Sequence, residues 1–99
     1  MQQLSDSLSM REGCLFIEEC EATALAREFG TPLFVISETH LRRNLRRYKT
    51  AFQRCWPEGR VRILPAFKAS PLLAVRQVLT EEGCGCDVSG DRAREGRLR

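Results

Sequence analysis

Apolar residues recur along this 99-residue chain in short runs separated by polar and turn-forming positions. In "CLFIEE" the apolar core, Leu15 to Ile17, has the length of a short strand. "CEATALAREFG" then changes period, because Ala22, Leu25 and Phe29 fall on one face of a short helix. Gly30 stands at its C-cap, where a left-handed residue is wanted, and Pro32 blocks continuation. "PLFVI" at 32–36 is β-branched and aromatic and predicts a second strand.

Ser37 is placed to cap the next helix, since its hydroxyl can accept an orphan backbone N–H. Leu41, Leu45, Tyr48 and Phe52 recur at i, i+4, i+7 and i+11 as one apolar stripe, and the arginines at 42, 43, 46 and 47 fall off it. "WPEG" closes the helix as a loop. "VRILPAF" at 61–67 is a third apolar run, in which Pro65 predicts an interruption or an end of the strand. Ser70-Pro71 predicts a helix start. Leu72, Val75 and Leu79 supply that helix with a buried face, and Gly83 ends it. "CDV" at 86–88 opens a fourth strand. The order strand, helix, strand from residue 61 onward predicts a crossover in a parallel sheet. A single crossover buries too little, so the pattern is that of the front of a larger α/β fold.

Charge adds a restraint. The formal net charge is +3, and the tail from Asp91 to Arg99 carries +2 of it, which leaves residues 1–90 nearly balanced. That argues against a dedicated nucleic-acid surface. "LRRNLRRYK" at 41–49 is therefore read as the solvated face of a helix, with nucleic-acid binding as the rival reading. No apolar run approaches the ~20 residues needed to span a bilayer, and "MQQLSDSLSMREG" lacks the apolar middle of a signal peptide. A soluble cytoplasmic protein is expected. Five cysteines, at 14, 20, 55, 84 and 86, are an odd count that suggests reduced thiols. Cys84 and Cys86 could form half of a soft-metal site, but a tetrahedral site takes four ligands, and no metal site is expected. Gly83-x-Gly85 follows a helix, whereas a dinucleotide fingerprint follows a strand.

Lys68 is one of only two lysines in the chain, the other being Lys49 among the arginines. It closes the third apolar run. At the carboxyl end of a parallel strand a side chain points into the crevice where α/β folds bind ligands. A lysine amine desolvated there has a lowered pKa and becomes a nucleophile for Schiff-base chemistry. A solvated loop lysine is the plain alternative.

The segments "REFGTPLFVI" at 27–36, "LRRNLRRYKTAF" at 41–52 and "LPAFKASPLLAVRQVLTEEGCGCDVSG" at 64–90, in that order, resemble the N-terminal part of the type III pyridoxal-phosphate-dependent amino-acid decarboxylases. This is the diaminopimelate and ornithine decarboxylase family, and the diaminopimelate enzymes are nearest by pattern. Gly30-Thr31-Pro32-Leu33, Ala66-Phe67-Lys68-Ala69 and Gly83-Cys84-Gly85-Cys86-Asp87-Val88-Ser89 carry the likeness.

The resemblance implies an α/β fold, the first part of a (β/α)8 TIM-type barrel preceded by a lead-in segment of the family's β domain. The chain then divides into a polar extension (1–14), lead-in strands with a short helix (15–36), the start of the cofactor-binding barrel (37–90) and a divergent charged tail (91–99). Lys68 becomes the catalytic lysine that holds pyridoxal 5'-phosphate, with Asp87 and Ser89 as further cofactor-binding residues. A small amino-acid substrate, a homodimer and no membrane or nucleic-acid partner are implied for the full-length family.

The chain departs from the pattern after Gly90, where a second glycine and a glutamate are replaced by "DRAREGRLR". A barrel needs ~250 residues. The family's phosphate loop, its acidic partner for the pyridine nitrogen and its interface cysteine all belong downstream of the part resembled. The expectation is a truncated, inactive fragment of a decarboxylase. A racemase on the same barrel and a small basic interaction protein without enzymatic activity are the alternatives.

Overall fold

Two-residue turns shape the first part of the molecule. A computed structural model describes residues 1–66, 70 and 72–87. Those residues fall into two compact units, Met1–Leu41 and Arg42–Arg99.

In the first unit β1 (Gln2–Gln3), β2 (Leu8–Arg11), β3 (Cys14–Ile17) and β4 (Cys20–Glu21) form an antiparallel meander in that spatial order. Arg11 pairs with Cys14 across Glu12 and Gly13, both at positive φ (50° and 78°). Two left-handed residues are what a tight hairpin requires to match the strand twist. Glu18, at φ 52°, begins the equally short turn between Ile17 and Cys20. Arg11 spans this end of the meander. Its guanidinium donates to both oxygens of Glu19, at 3.1 and 3.2 Å, and lies 4.7 Å above the centre of the Phe16 ring. Strands β1 and β2 arise in the polar first fourteen residues, where the sequence pattern predicted no element.

Helix α1 (Ala22–Phe29) packs on β3 and β4. It ends as expected at Gly30, whose φ of 84° is open to glycine and whose N–H reaches the Ala26 carbonyl at 2.8 Å. Phe29, predicted for the packed face, stands exposed. The strand predicted at 32–36 does not form. A strand needs a partner for its amides, and among the described residues no backbone hydrogen bond reaches this segment.

Helix α2 (Glu38–Cys55) begins as its sequence dictates. Ser37 Oγ accepts the His40 N–H at 3.1 Å and donates to Glu18 Oε1 at 2.7 Å, so one hydroxyl caps the helix and ties it to the β3–β4 turn. Glu38 in the first turn suits the positive end of the helix dipole. Of the predicted stripe, Leu41 and Leu45 are half-covered, while Tyr48 and Phe52 are exposed.

In the second unit helix α3 runs over Leu73–Glu81, starting two residues after the predicted Pro71. Leu72 is the N-cap, with ψ 130°, so helical geometry cannot begin before Leu73. Val78 and Leu79 are its buried residues, Val75 is half-buried and Leu72 is exposed. Gly83, at φ 81°, stops the helix as expected. Its N–H bonds the Thr80 carbonyl at 3.0 Å and the Cys84 N–H bonds that of Leu79 at 2.9 Å, which is the Schellman arrangement.

The arginines predicted to be a solvated face are partly engaged. Arg42 bridges Glu81 (2.5 Å) and Glu82 (3.0 Å), and Arg46 meets Glu82 at 2.8 Å. Two carboxylates at the negative end of α3 oppose its dipole, and the α2 arginines offset that cost.

Candidate functional site

The site is built around a short parallel pairing. After α3 the chain returns beside residues 63–66. The Gly85 N–H donates to the Ile63 carbonyl at 2.9 Å, and the Asp87 N–H donates to that of Pro65 at 3.2 Å. Ala66 and Asp87 are bridged in parallel. The predicted parallel crossover is present only as this one isolated bridge, and among the described residues no strand forms at 61–66 or 86–87. Pro65 takes part through its carbonyl, which needs no N–H, so the proline sits in the pair without breaking it.

Two contacts fix the returning segment. From α3, Arg76 Nη2 donates to the Gly85 carbonyl at 3.3 Å. A Cβ at Gly85 would run into the Leu64 side chain, so the absence of a side chain there permits the close approach of the two segments.

Asp87 is the one predicted site residue that the structure describes. It is exposed, sits at the end of the pair and has no partner for its carboxylate among the described residues. Lys68 and Ser89 lie outside the described residues. In chain order Lys68 follows Ala66 by two residues and Ser89 follows Asp87 by two.

A cavity of about 160 Å³ opens at the opposite, amino-terminal end of the pair, between Leu45, Lys49, Val61, Ile63 and Cys84. Burial pushes the Cys84 thiol up from its ordinary pKa, which makes it a poor nucleophile. Ligands of α/β folds gather at carboxyl ends, so this cavity is not the candidate site. Lys49, the second lysine, borders it.

The sequence pattern did not single out Arg42, Arg46, Glu81 and Glu82 as a group. Hydrogen bonds from Arg46 and then Arg42 hold the Glu82 carboxyl below its usual range, and Arg42, with Gln77, does the same to Glu81. The available signal was two arginines four residues apart on one helix, with a pair of glutamates ending the next.

No family model matches the sequence. Relatives do. Diaminopimelate decarboxylase of Methanocaldococcus jannaschii is 41% identical over 87 residues, covering 85% of this chain and 20% of that protein. The enzyme of the same name from Methanothermobacter thermautotrophicus is 43% identical over 76 residues, or 77% of this chain and 17% of that one. The crystal structure of the M. jannaschii protein superimposes with a TM-score of 0.88 at 35% identity, over 94% of this chain and 22% of that chain. By sequence and by backbone, this chain is homologous to part of the diaminopimelate decarboxylases.

It spans about a fifth of the length of the relatives it matches. The homologous stretch is a small α/β unit with a four-stranded antiparallel sheet and, among the described residues, three helices. No helix of the described residues is long and apolar enough to cross a membrane.

Proposed function

We propose that this chain carries the cofactor-lysine segment of a pyridoxal-phosphate-dependent enzyme that decarboxylates an amino acid, as diaminopimelate decarboxylase does. The parallel pairing of Ala66 with Asp87 is the observation that carries the reading. It sets the two chain segments that lead to Lys68 and Ser89 side by side and running in the same direction. On this reading the pair is the first crossover of a (β/α)8 barrel, closed by the rest of the enzyme's polypeptide, and Lys68 stands at the carboxyl rim where barrels place their chemistry.

The donor chemistry fits the cofactor. Its aldehyde needs an amine, and of the two lysines only Lys68 follows a segment of the parallel pair; Lys49 belongs to α2. When bound, pyridoxal phosphate supplies an electron sink for the carbanion left after loss of CO₂. The Lys68 amine would hold the cofactor through its aldehyde, for which it must be unprotonated, and would be placed to return a proton to the product. Asp87 orders the loop beside it through its backbone pairing, and its carboxylate and the Ser89 hydroxyl offer hydrogen bonds near the cofactor. A solved form of the M. jannaschii relative holds L-lysine, which supports a basic amino acid as the ligand class. The complete enzyme acts in the cytoplasm as a homodimer on this reading.

The test is borohydride reduction after incubation with pyridoxal phosphate, followed by peptide mapping. A stoichiometric label on Lys68, with Lys49 unmodified, supports the assignment. Weak label spread over both lysines and the N-terminus is ordinary amine reactivity and refutes a preformed site.

A further inference from the structure

The cavity at the amino-terminal end of the Ala66–Asp87 pairing lies wholly within the second unit and stands apart from the candidate site. Its walls are apolar. Leu45, Val61 and Ile63 bring branched aliphatic side chains to it, and Cys84 adds a thiol. Burial, and then the charge of Glu82, push that thiol above its ordinary pKa, so it stays neutral and serves as a further apolar surface. The volume of about 160 Å³ suits a benzene ring or a branched aliphatic chain, since apolar cavities of about 150 Å³ take up benzene.

Three ionic side chains border these walls, Arg46, Lys49 and Glu82. Arg46 and Glu82 hold each other through hydrogen bonds at 3.0 and 2.8 Å, and Arg42 meets Glu82 as well. Lys49 meets no carboxylate among the described residues. Its charge is felt in the cavity, where it acts on Cys84 against the effect of Glu82. The lining therefore carries one positive charge in excess, at the tip of a flexible apolar stem. Small-molecule sites have this make-up, mostly apolar walls with a few polar groups that fix orientation. We propose that the cavity binds a small amphipathic carboxylate, its ring or branched chain against Leu45, Val61 and Ile63 and its carboxylate on the Lys49 ammonium. A cation of the same shape would meet like charge at Lys49 and Arg46. The proposal is independent of the cofactor assignment, in which neither Lys49 nor Cys84 has a role.

The test alkylates the whole chain with iodoacetamide, with and without benzoate, and follows each cysteine by peptide mapping. Cys84 is half-buried and lines the cavity, whereas Cys20 and Cys55 are exposed elsewhere and serve as internal controls. Saturating benzoate should slow alkylation of Cys84 by about tenfold or more and leave Cys20 and Cys55 unchanged. Benzylamine, of the same size and opposite charge, should not protect. Lys49→Met keeps an apolar stem at an exposed position and removes the charge. It should raise the benzoate concentration for half-protection by about tenfold or more, with circular dichroism checking that the helices persist. Equal protection by benzoate and benzylamine, or protection indifferent to Lys49→Met, would show an apolar pocket without a carboxylate site and overturn the proposal. A Cys84 that reacts at an unchanged rate in benzoate would overturn it because the cavity is not filled. A Cys84 that does not react at all would do so because the cavity admits no small molecule.

Discussion

Arg46 grips Glu82 with two edges of its guanidinium, Nε to Oε2 at 3.0 Å and Nη2 to Oε1 at 2.8 Å. The planar fork matches the carboxylate, and lysine cannot reproduce the match. Arg46→Lys should therefore lower the denaturation midpoint almost as far as Arg46→Ala, as read by urea titration. Equal stability of Arg46→Lys and the parent would show that charge alone is sufficient.

The same cluster predicts a pH dependence. Glu81 and Glu82 have folded-state pKa values below the usual range, because arginine hydrogen bonds favour their charged forms. Groups of this kind contribute stability that is fully present above the unfolded carboxylate value of about 4.3, and that fades as pH falls through the lowered folded values. The protein should lose stability in acid, and Glu81→Gln with Glu82→Gln should flatten that slope. An unchanged slope in the double variant, followed by denaturation at several pH values, would place the acid sensitivity elsewhere.

Ser37 caps α2 and also reaches Glu18. Its replacement by alanine should cost about 1 kcal/mol, and Ser37→Thr, which keeps the hydroxyl, much less. Thermal melts followed by circular dichroism separate the two.

Leu79 is 4% exposed and one of only two buried apolar side chains among the described residues. Leu79→Ala should lose about 2–5 kcal/mol, enough to unfold a unit with so small a core. Leu73→Ala on the same helix, at a side chain 64% exposed, should stay within about 0.5 kcal/mol of the parent. Equal effects would mean that burial in α3 does not hold the unit together.

At Gly83 the positive φ of 81° and the two Schellman bonds predict a backbone effect without a steric one, since an added Cβ would meet nothing within 4 Å. Gly83→Ala should destabilise by about 1 kcal/mol, and Gly83→Asn by less, because asparagine tolerates the left-handed region.

What could be read in advance was what adjacent residues decide among themselves. Ser37 before an amphipathic run acts through a hydroxyl that reaches the next turn, and Gly30 and Gly83 after one and Pro65 near the end of an apolar stretch act through their own backbone. Residues 33–36 have the composition of a strand, but pairing depends on a neighbour remote in sequence. Strands β1 and β2 were missed for the opposite reason, because four residues from Leu8 to Arg11 are too few for alternation to stand out. Arg42 and Arg46 looked solvated because charge on a helix face does not say what faces it. Of the candidate site, the parallel course of the two segments was legible, met by one bridge from Ala66 to Asp87 without the strands expected on either side. The roles of Lys68 and Ser89 rest on chain order and family likeness.

The parallel pair is held in register by two amide donors, Gly85 and Asp87. A slip of two residues would keep every side chain on its own face, so the hydrophobic pattern offers no resistance to it. Such a slip would shift one segment past the other by about 7 Å, at roughly 3.3 Å per residue. Reaction geometry tolerates errors of only about 1 Å. The Arg76 tie and the bare α-carbon of Gly85 against Leu64 thus act as a vernier: they add little to how firmly the segments are bound and fix the register in which Ala66 meets Asp87.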